Sequence, residues 1–420
     1  MPGGRVEASA FGRMLYVHSG SAVSGFDLLA PGSGGRPAWT RPAAPGTPRA
    51  VPALAWGRMG GGRVARNGAV PLGMRVTEPG GMPRGESPRG GRVTARGVLH
   101  HDGASLMLLD HVDGGVLWER HLGHPVSELV CDDDFACACT PDGDGSTVVS
   151  MIDGRLVRTC TVPNRRQRIA TSGRRIVSVV QPEGSFSGEP SETVRIEAID
   201  PVSLEREVFG EFPGRSRAVM DGAERLLVLA PDGTLTALEC GRGRVFATRL
   251  PEMPTRFEHL HVVSVPGRHL VVAGAHEPGD LEQAAAAQIA SAGEDLTPPL
   301  SGAIWSVERS TGEPLWPAPA TIERHAIPLH QPAELPILLL VRRHPDREIA
   351  RSEVVCLDAR TGHAIFQQDV EHGPQHGGGG FELAGNPDDG TIALVESATG
   401  RRIELAFTGA AIPPQSPFRR

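Results

Sequence analysis

An all-β fold is predicted: a β-propeller of four-stranded antiparallel blades. Three observations predict it. A unit of apolar strand, polar turn and second apolar strand recurs along the chain. Several copies lie close to one propeller blade apart, as from Gly114 to Gly154, Leu204 to Gly243 and Gly362 to Gly400. Glycine (53 residues) and proline (37) punctuate short Val-, Leu-, Ile- and Ala-rich runs, without the helices or short coils of a solenoid.

The unit is clearest from Val354 to Phe366. Its turn, Asp358 to Gly362, opens with an acid that can bond the turn's own amides and closes with a glycine free to take positive φ. Asp110, Gly114 and Trp118 repeat the pattern, as do Glu308, Gly312 and Trp316. Asp358, Gly362 and Phe366 form a third set, and Glu396 and Gly400 a last one. Weaker copies run from Ser150 to Gly154, Asp200 to Leu204 and Glu239 to Gly243, and Gly35 with Trp39 is an early one. The aromatic four residues after the glycine is expected on a strand, its ring buried between stacked sheets. Phe246 falls beside that position. Repetition of the acids at equivalent places marks them as turn formers and not as catalytic groups.

Taken in order, residues 12–41 give the first blade, and residues 42–91, rich in Pro, Gly and Arg, an irregular excursion. Clean strands follow in 92–123, 124–163, 164–215 and 216–251. The stretch 275–300 is an insertion, where a capping-box-like Asp280 to Gln283 and an alanine run predict a short helix over Leu281–Ser291. Strands resume at Gly302, and a frayed tail occupies 412–420. The whole reads as one propeller over 1–411, within what reads as part of a longer polypeptide.

Candidate chemistry is sparse. His100 and His101 are neighbours on a strand and face opposite ways, so they do not suit one metal ion. Pro141 to Gly145 alternates Asp and Gly but is too short for a calcium loop and reads as a hairpin turn. His372 and His376 are separated by Gly and Pro, which forbid a chelating helix. The basic run Arg165 to Arg168 reads as a solvated loop. Six cysteines (Cys131, Cys137, Cys139, Cys160, Cys240, Cys356) form no C-x-x-C pair and read as small buried hydrophobes. A disulfide from Cys137 or Cys139 to Cys160 is compatible with the sequence. Net charge is −7 and every one of the 42 basic residues is arginine, with no basic stripe of the kind nucleic-acid binding needs. No signal peptide or membrane-spanning stretch is visible, which leaves the compartment open.

The turns at Gly114, Gly312 and Gly362, with Trp118 and Trp316, resemble the tryptophan-docking repeat of the quinoprotein, or PQQ-like, β-propeller superfamily. With the linking segment Pro328 to Pro336, the chain resembles the PQQ-like repeat proteins of planctomycete-type bacteria. Similar repeats build the eight-bladed lipoproteins of outer-membrane-protein assembly. The resemblance covers about Arg13 to Thr408 and implies a propeller of eight blades, with seven as the alternative. It does not imply the cofactor: quinoprotein dehydrogenases carry an adjacent Cys-Cys pair, a calcium site and a catalytic Asp. No Cys-Cys dipeptide occurs here, so no catalytic, cofactor-binding or metal-binding residue is carried over. The expected function is a non-catalytic protein-interaction or assembly scaffold with a protein partner, no nucleic acid and no cofactor. Membrane association is expected only through an upstream segment or a partner. Two alternatives stand beside it: a divergent dehydrogenase using PQQ with calcium, and a carbohydrate- or small-ligand-binding propeller.

Overall fold

The computed structural model describes residues 7–11, 14–19, 22–27, 37–42, 70–71, 92–164, 167–180, 193–221, 225–255, 257–276, 297, 299–328, 331, 335–344, 351–371, 381–386, 391–396 and 402–406. Every regular element among them is a β-strand. The first sheet is β1 (Glu7–Phe11), β2 (Met14–Ser19), β3 (Ala22–Asp27) and β4 (Trp39–Pro42). After the short β5 (Val70–Pro71) comes β6 (Arg92–Val93), β7 (Val98–Asp102), β8 (Ser105–Leu109) and β9 (Val116–His121). Next are β10 (Glu128–Cys131), β11 (Phe135–Cys139), β12 (Ser146–Ser150) and β13 (Leu156–Cys160). The fourth set is β14 (Arg168–Ser172), β15 (Arg175–Val180), β16 (Thr193–Ile199) and β17 (Arg206–Pro213).

Then follow β18 (Arg217–Asp221), β19 (Arg225–Leu229), β20 (Thr234–Glu239) and β21 (Gly243–Arg249). A longer run holds β22 (His259–Val265), β23 (Arg268–Ala275), β24 (Leu300–Glu308), β25 (Ala320–Ala326), β26 (Ile337–His344), β27 (Arg351–Asp358) and β28 (Ala364–Glu371). The last sheet is β29 (Phe381–Asn386), β30 (Thr391–Glu396) and β31 (Arg402–Ala406).

Within every sheet the strands lie in chain order, and in the first three sheets consecutive strands pair antiparallel as meanders of hairpins. Four sheets have four strands, as expected: β1–β4, β6–β9, β10–β13 and β14–β17. Three depart from that number. β5 adds to β18 and makes a fifth strand through Ala218↔Val70 and Arg217↔Pro71. β29–β31 is three-stranded. β22 to β28 form one seven-stranded sheet, because β25 kinks at Arg324 (φ 51°) and its end reaches β26 through His325↔Arg342 and Ala326↔Val341. The expected helix over Leu281–Ser291, nearly all of the 42–91 excursion and the tail lie outside the described residues.

The chain divides into two compact units. The first holds β1–β4 and β6–β16 with most of β17; the second holds β5 and β18–β31. In the first, sheets stack on their chain neighbours, and strand alternation sends successive residues into different layers. Leu109 packs with Tyr16 and Trp39 of the preceding sheet. Leu108, one residue earlier, packs with Leu129 and Val149 of the following one. Cys137 and Val148 then meet Ile176 and Ile199. All five residues of β12 are therefore buried. This is why central strands read as unbroken apolar runs where a half-exposed strand would alternate. The second unit repeats the arrangement, β18–β21 against β22–β24 and those against β26 and β27.

Candidate functional site

The repeated turns order these layers. In each, the amide of the last residue donates to the carbonyl of the first: Gly114 to Asp110 (3.2 Å), Gly154 to Ser150 (2.9 Å), Leu204 to Asp200 (2.7 Å), Gly312 to Glu308 (2.9 Å) and Gly362 to Asp358 (2.8 Å). The opening side chain accepts from the turn's own amides, as expected of an Asx turn. Asp110 Oδ1 takes Val112 N–H at 2.7 Å, Asp200 Oδ1 takes Val202 N–H at 2.9 Å and Asp358 Oδ1 takes Arg360 N–H at 2.8 Å. Glu308 differs: its longer side chain takes the Thr311 hydroxyl instead. The carboxyl of Asp358, although burial opposes it, is held below its ordinary range by the Arg360 guanidinium.

The aromatic does not close on its own glycine. It docks on the glycine of the next turn. A Cβ on Gly114 would meet Trp39 at 2.4 Å, on Gly154 it would meet Trp118 at 2.6 Å, and on Gly362 it would meet Trp316 at 2.9 Å. Each indole N–H donates to the second carbonyl of the turn it covers: Trp39 to His111 (3.3 Å), Trp118 to Met151 (3.0 Å) and Trp316 to Ala359 (2.9 Å). Phe246 corrects the reading that set it off the motif. It packs on Gly312, where a Cβ would lie 2.3 Å from its ring. By register Phe246↔Ala237 matches Trp118↔Leu108, each just past a bulge; the turn after Glu239 is shorter, which hid this from residue counting. Phenylalanine has no donor, and Arg225 Nη1 takes the carbonyl of Arg309 in its place. Trp316 is buried but off any strand, since Pro314 leaves only the bridge Val307↔Pro314. Phe366 lies half-buried on β28 and Glu396 ends β30, while Gly400 lies outside the described residues.

Polar ties reinforce neighbouring sheets. Arg168, expected in a solvated loop, is buried, and it donates to Glu128 Oε2 at 2.8 Å and to the carbonyl of Pro163 at 2.6 Å. Arg174 joins Asp132 and Asp200, both at 2.9 Å. His111 Nε2–H donates to Thr94 O at 2.8 Å, so Nδ1 accepts from the Tyr16 hydroxyl at 2.6 Å. Burial, with Asp110 second, pushes that hydroxyl up to about 12.

The reactive side chains are packed away. Cys137, Cys139, Cys160 and Cys356 are buried thiols. Cys137 and Cys139 Sγ lie 3.8 Å apart, and hydrogen bonds to Cys139 and Cys160 raise Cys137 well above the ordinary thiol range. The compatible disulfide is not present: Cys137, Cys139 and Cys160 remain thiols, and Cys137 hydrogen-bonds both of the others. His259 and His276 rings are 3.9 Å apart, and His276 Nδ1–H donates to Pro299 O. Burial lowers His259 to about 3 and buried His261 beside them to about 4. The rings of His100 and His101 lie 6.5 Å apart on β7. Among the described residues, no three His, Cys, Asp or Glu side chains are placed to hold a metal ion, and no helix is long and apolar enough to cross a membrane.

What stands exposed is aliphatic. In the first unit, turn tips and fourth strands carry Val112 (62% exposed), Leu117 (52%), Ile152 (68%) and Val208 (56%), with Val116, Leu156, Val157 and Leu204 beside them. Trp118, the residue after Leu117, docks on Gly154 in the turn that carries Ile152. In the second unit the tips are polar, Ser310 and Arg360, while Leu315 and Ile365 stand exposed after the turns. Sequence reasoning missed this surface. Its one signal was an apolar residue three places after the turn glycines, as at Leu117, Val157, Leu315 and Ile365.

No protein-family model and no curated protein matches the chain. Among solved structures it is similar to BamB from Moraxella catarrhalis, at 12% identity over 96% of each chain and TM-score 0.36. It is also similar to the N-terminal domain of Nup159, at 10% identity over 79% of this chain and 93% of that one, TM-score 0.34. Hsv2 from Kluyveromyces lactis follows, at 9% identity over 85% and 95%, TM-score 0.36. These likenesses are distant.

Proposed function

We propose that the chain is a PQQ-like β-propeller, eight-bladed with seven as the alternative, that works as a non-catalytic protein-interaction or assembly scaffold. The observation that carries the scaffold role is the exposed aliphatic series on consecutive sheets, from Val112 to Val208. Exposed apolar groups gathered at one kind of position mark contact sites far better than scattered ones. The docked aromatics support the propeller, since each turn is completed by the sheet before it.

A photo-crosslinking amino acid at Leu117 or Ile152, in the native host, is expected to give discrete adducts with a partner protein. The same group at exposed Thr311 is expected to give none. Absence of adducts at both aliphatic positions overturns the scaffold role. Titration with pyrroloquinoline quinone and calcium is expected to give no binding heat; stoichiometric binding would instead favour a dehydrogenase.

A further inference from the structure

Among the described residues, β13 is the outer strand of its sheet, with no strand paired beyond it. An open edge presents unpaired backbone N–H and C=O groups, and sheets guard such edges with proline, bulges that twist them away or charge. β13 has no proline. Leu156 and Val157 on it are exposed, with Ile152 at the preceding tip. The charges on and beside the strand are basic. Arg155 is exposed, and its one ion pair is a loose 4.0 Å contact with solvent-facing Asp153. Arg158 has no carboxylate within ion-pair distance among the described residues. The two neighbouring outer strands differ: β9 carries Glu119, and β17 carries Glu207 and Glu211 with its arginine Arg206 paired to Glu197.

We propose that the edge of β13 docks an extended segment of a partner protein in which aliphatic and acidic residues alternate. The segment adds as a fifth strand. Its amides meet the open ladder, its aliphatic side chains cover Leu156, Val157 and Ile152, and its carboxylates meet Arg155 and Arg158. The inference rests on the scaffold reading and names the chemistry of its partner.

The probe is a fluorescein-labelled peptide alternating Val and Glu, followed by anisotropy with the full chain. Saturable binding is expected, about tenfold weaker in Arg155→Glu/Arg158→Glu. The matching pair on β21, Arg244→Glu/Arg249→Glu, is expected to leave binding unchanged. Equal loss in both pairs overturns the site, since it shows non-specific attraction. Equal binding by a peptide N-methylated at alternate residues overturns strand addition. Concentration-dependent dimerisation that Leu156→Asp abolishes overturns it too, because a second copy then occupies the edge. Adducts at Leu117 without peptide binding sink this docking mode and leave the scaffold standing; silence in both experiments removes both.

Discussion

Trp118 lies flat on Gly154, a residue of the following sheet, and its indole N–H reaches the Met151 carbonyl of the same turn at 3.0 Å. The contact couples three demands: a left-handed residue (φ 67°), no Cβ under the ring, and a ring donor at the right height. Gly154→Ala violates the first two. We expect it to lower stability by about 2–4 kcal/mol in urea unfolding. Gly173→Ala is the control, because Gly173 also has positive φ (55°) but open space around it. It is expected to cost about 1 kcal/mol. Equal losses would show that backbone conformation alone matters and that the docked ring contributes nothing.

The copy without a glycine makes the opposite test. Leu204 holds φ 66° in the Asp200 turn, and its side chain is exposed. Left-handed backbone costs a non-glycine residue about 1–2 kcal/mol, while glycine raises the entropy of the unfolded chain by somewhat less. Leu204→Gly is therefore expected to stabilise by about 0.5–1 kcal/mol, read as a raised thermal midpoint. A lowered midpoint would mean that the exposed leucine makes contacts worth more than the strain.

Buried Gln331 substitutes for a strand. Its Oε1 accepts from Leu339 N–H at 3.0 Å, and its Nε2 donates to Leu339 O at 3.0 Å and Pro328 O at 3.1 Å. Gln331→Leu keeps the bulk and strands one buried amide and two carbonyls of these groups. We expect a loss of about 2–4 kcal/mol. Gln331→Glu, which retains the acceptor and loses the donor, is expected to destabilise more at neutral pH than at pH 4, where a protonated acid can donate again. No difference between the two pH values would refute the role of the amide donor.

The turns were legible because their chemistry is local. Asp110, Gly114 and Gly362 announce themselves by residue type and spacing, and the meander follows from short apolar runs between them. What the aromatic touches was not legible: Trp118 sits beside Gly114 in sequence, yet its partner lies in the next sheet, and only packing reveals it. Phe246 escaped because register across a bulge, and not residue count, decides equivalence. Arg168 escaped because a charge run looks solvated until a buried carboxylate such as Glu128 is set opposite it. The merger of β25 with β26 depends on one left-handed arginine, Arg324, which no local rule predicts.

Acid should unfold this chain early. His261 is buried with neither ring nitrogen hydrogen-bonded, and burial, with His276 second, lowers it to about 4 from 6.5. His259 is lowered to about 3, chiefly by burial, with His276, His261 and Arg217 adding to the effect. His269 is lowered to about 4 by burial, against the pull of Asp221. All three are neutral in the fold where the unfolded chain would already take up a proton. As the pH falls below 6.5 the unfolded state is therefore favoured, and the loss continues until the folded values near 4 are reached. Each fully buried imidazole costs up to about 1.4 kcal/mol per pH unit across that window. His261→Leu removes one titration without abandoning a hydrogen bond. Its stability is expected to fall less steeply than that of the parent between pH 6.5 and 4, by about 1 kcal/mol per unit, in urea titrations at a series of pH values. Parallel slopes would place the acid sensitivity elsewhere, with Glu239 beside Arg225 the next group to test.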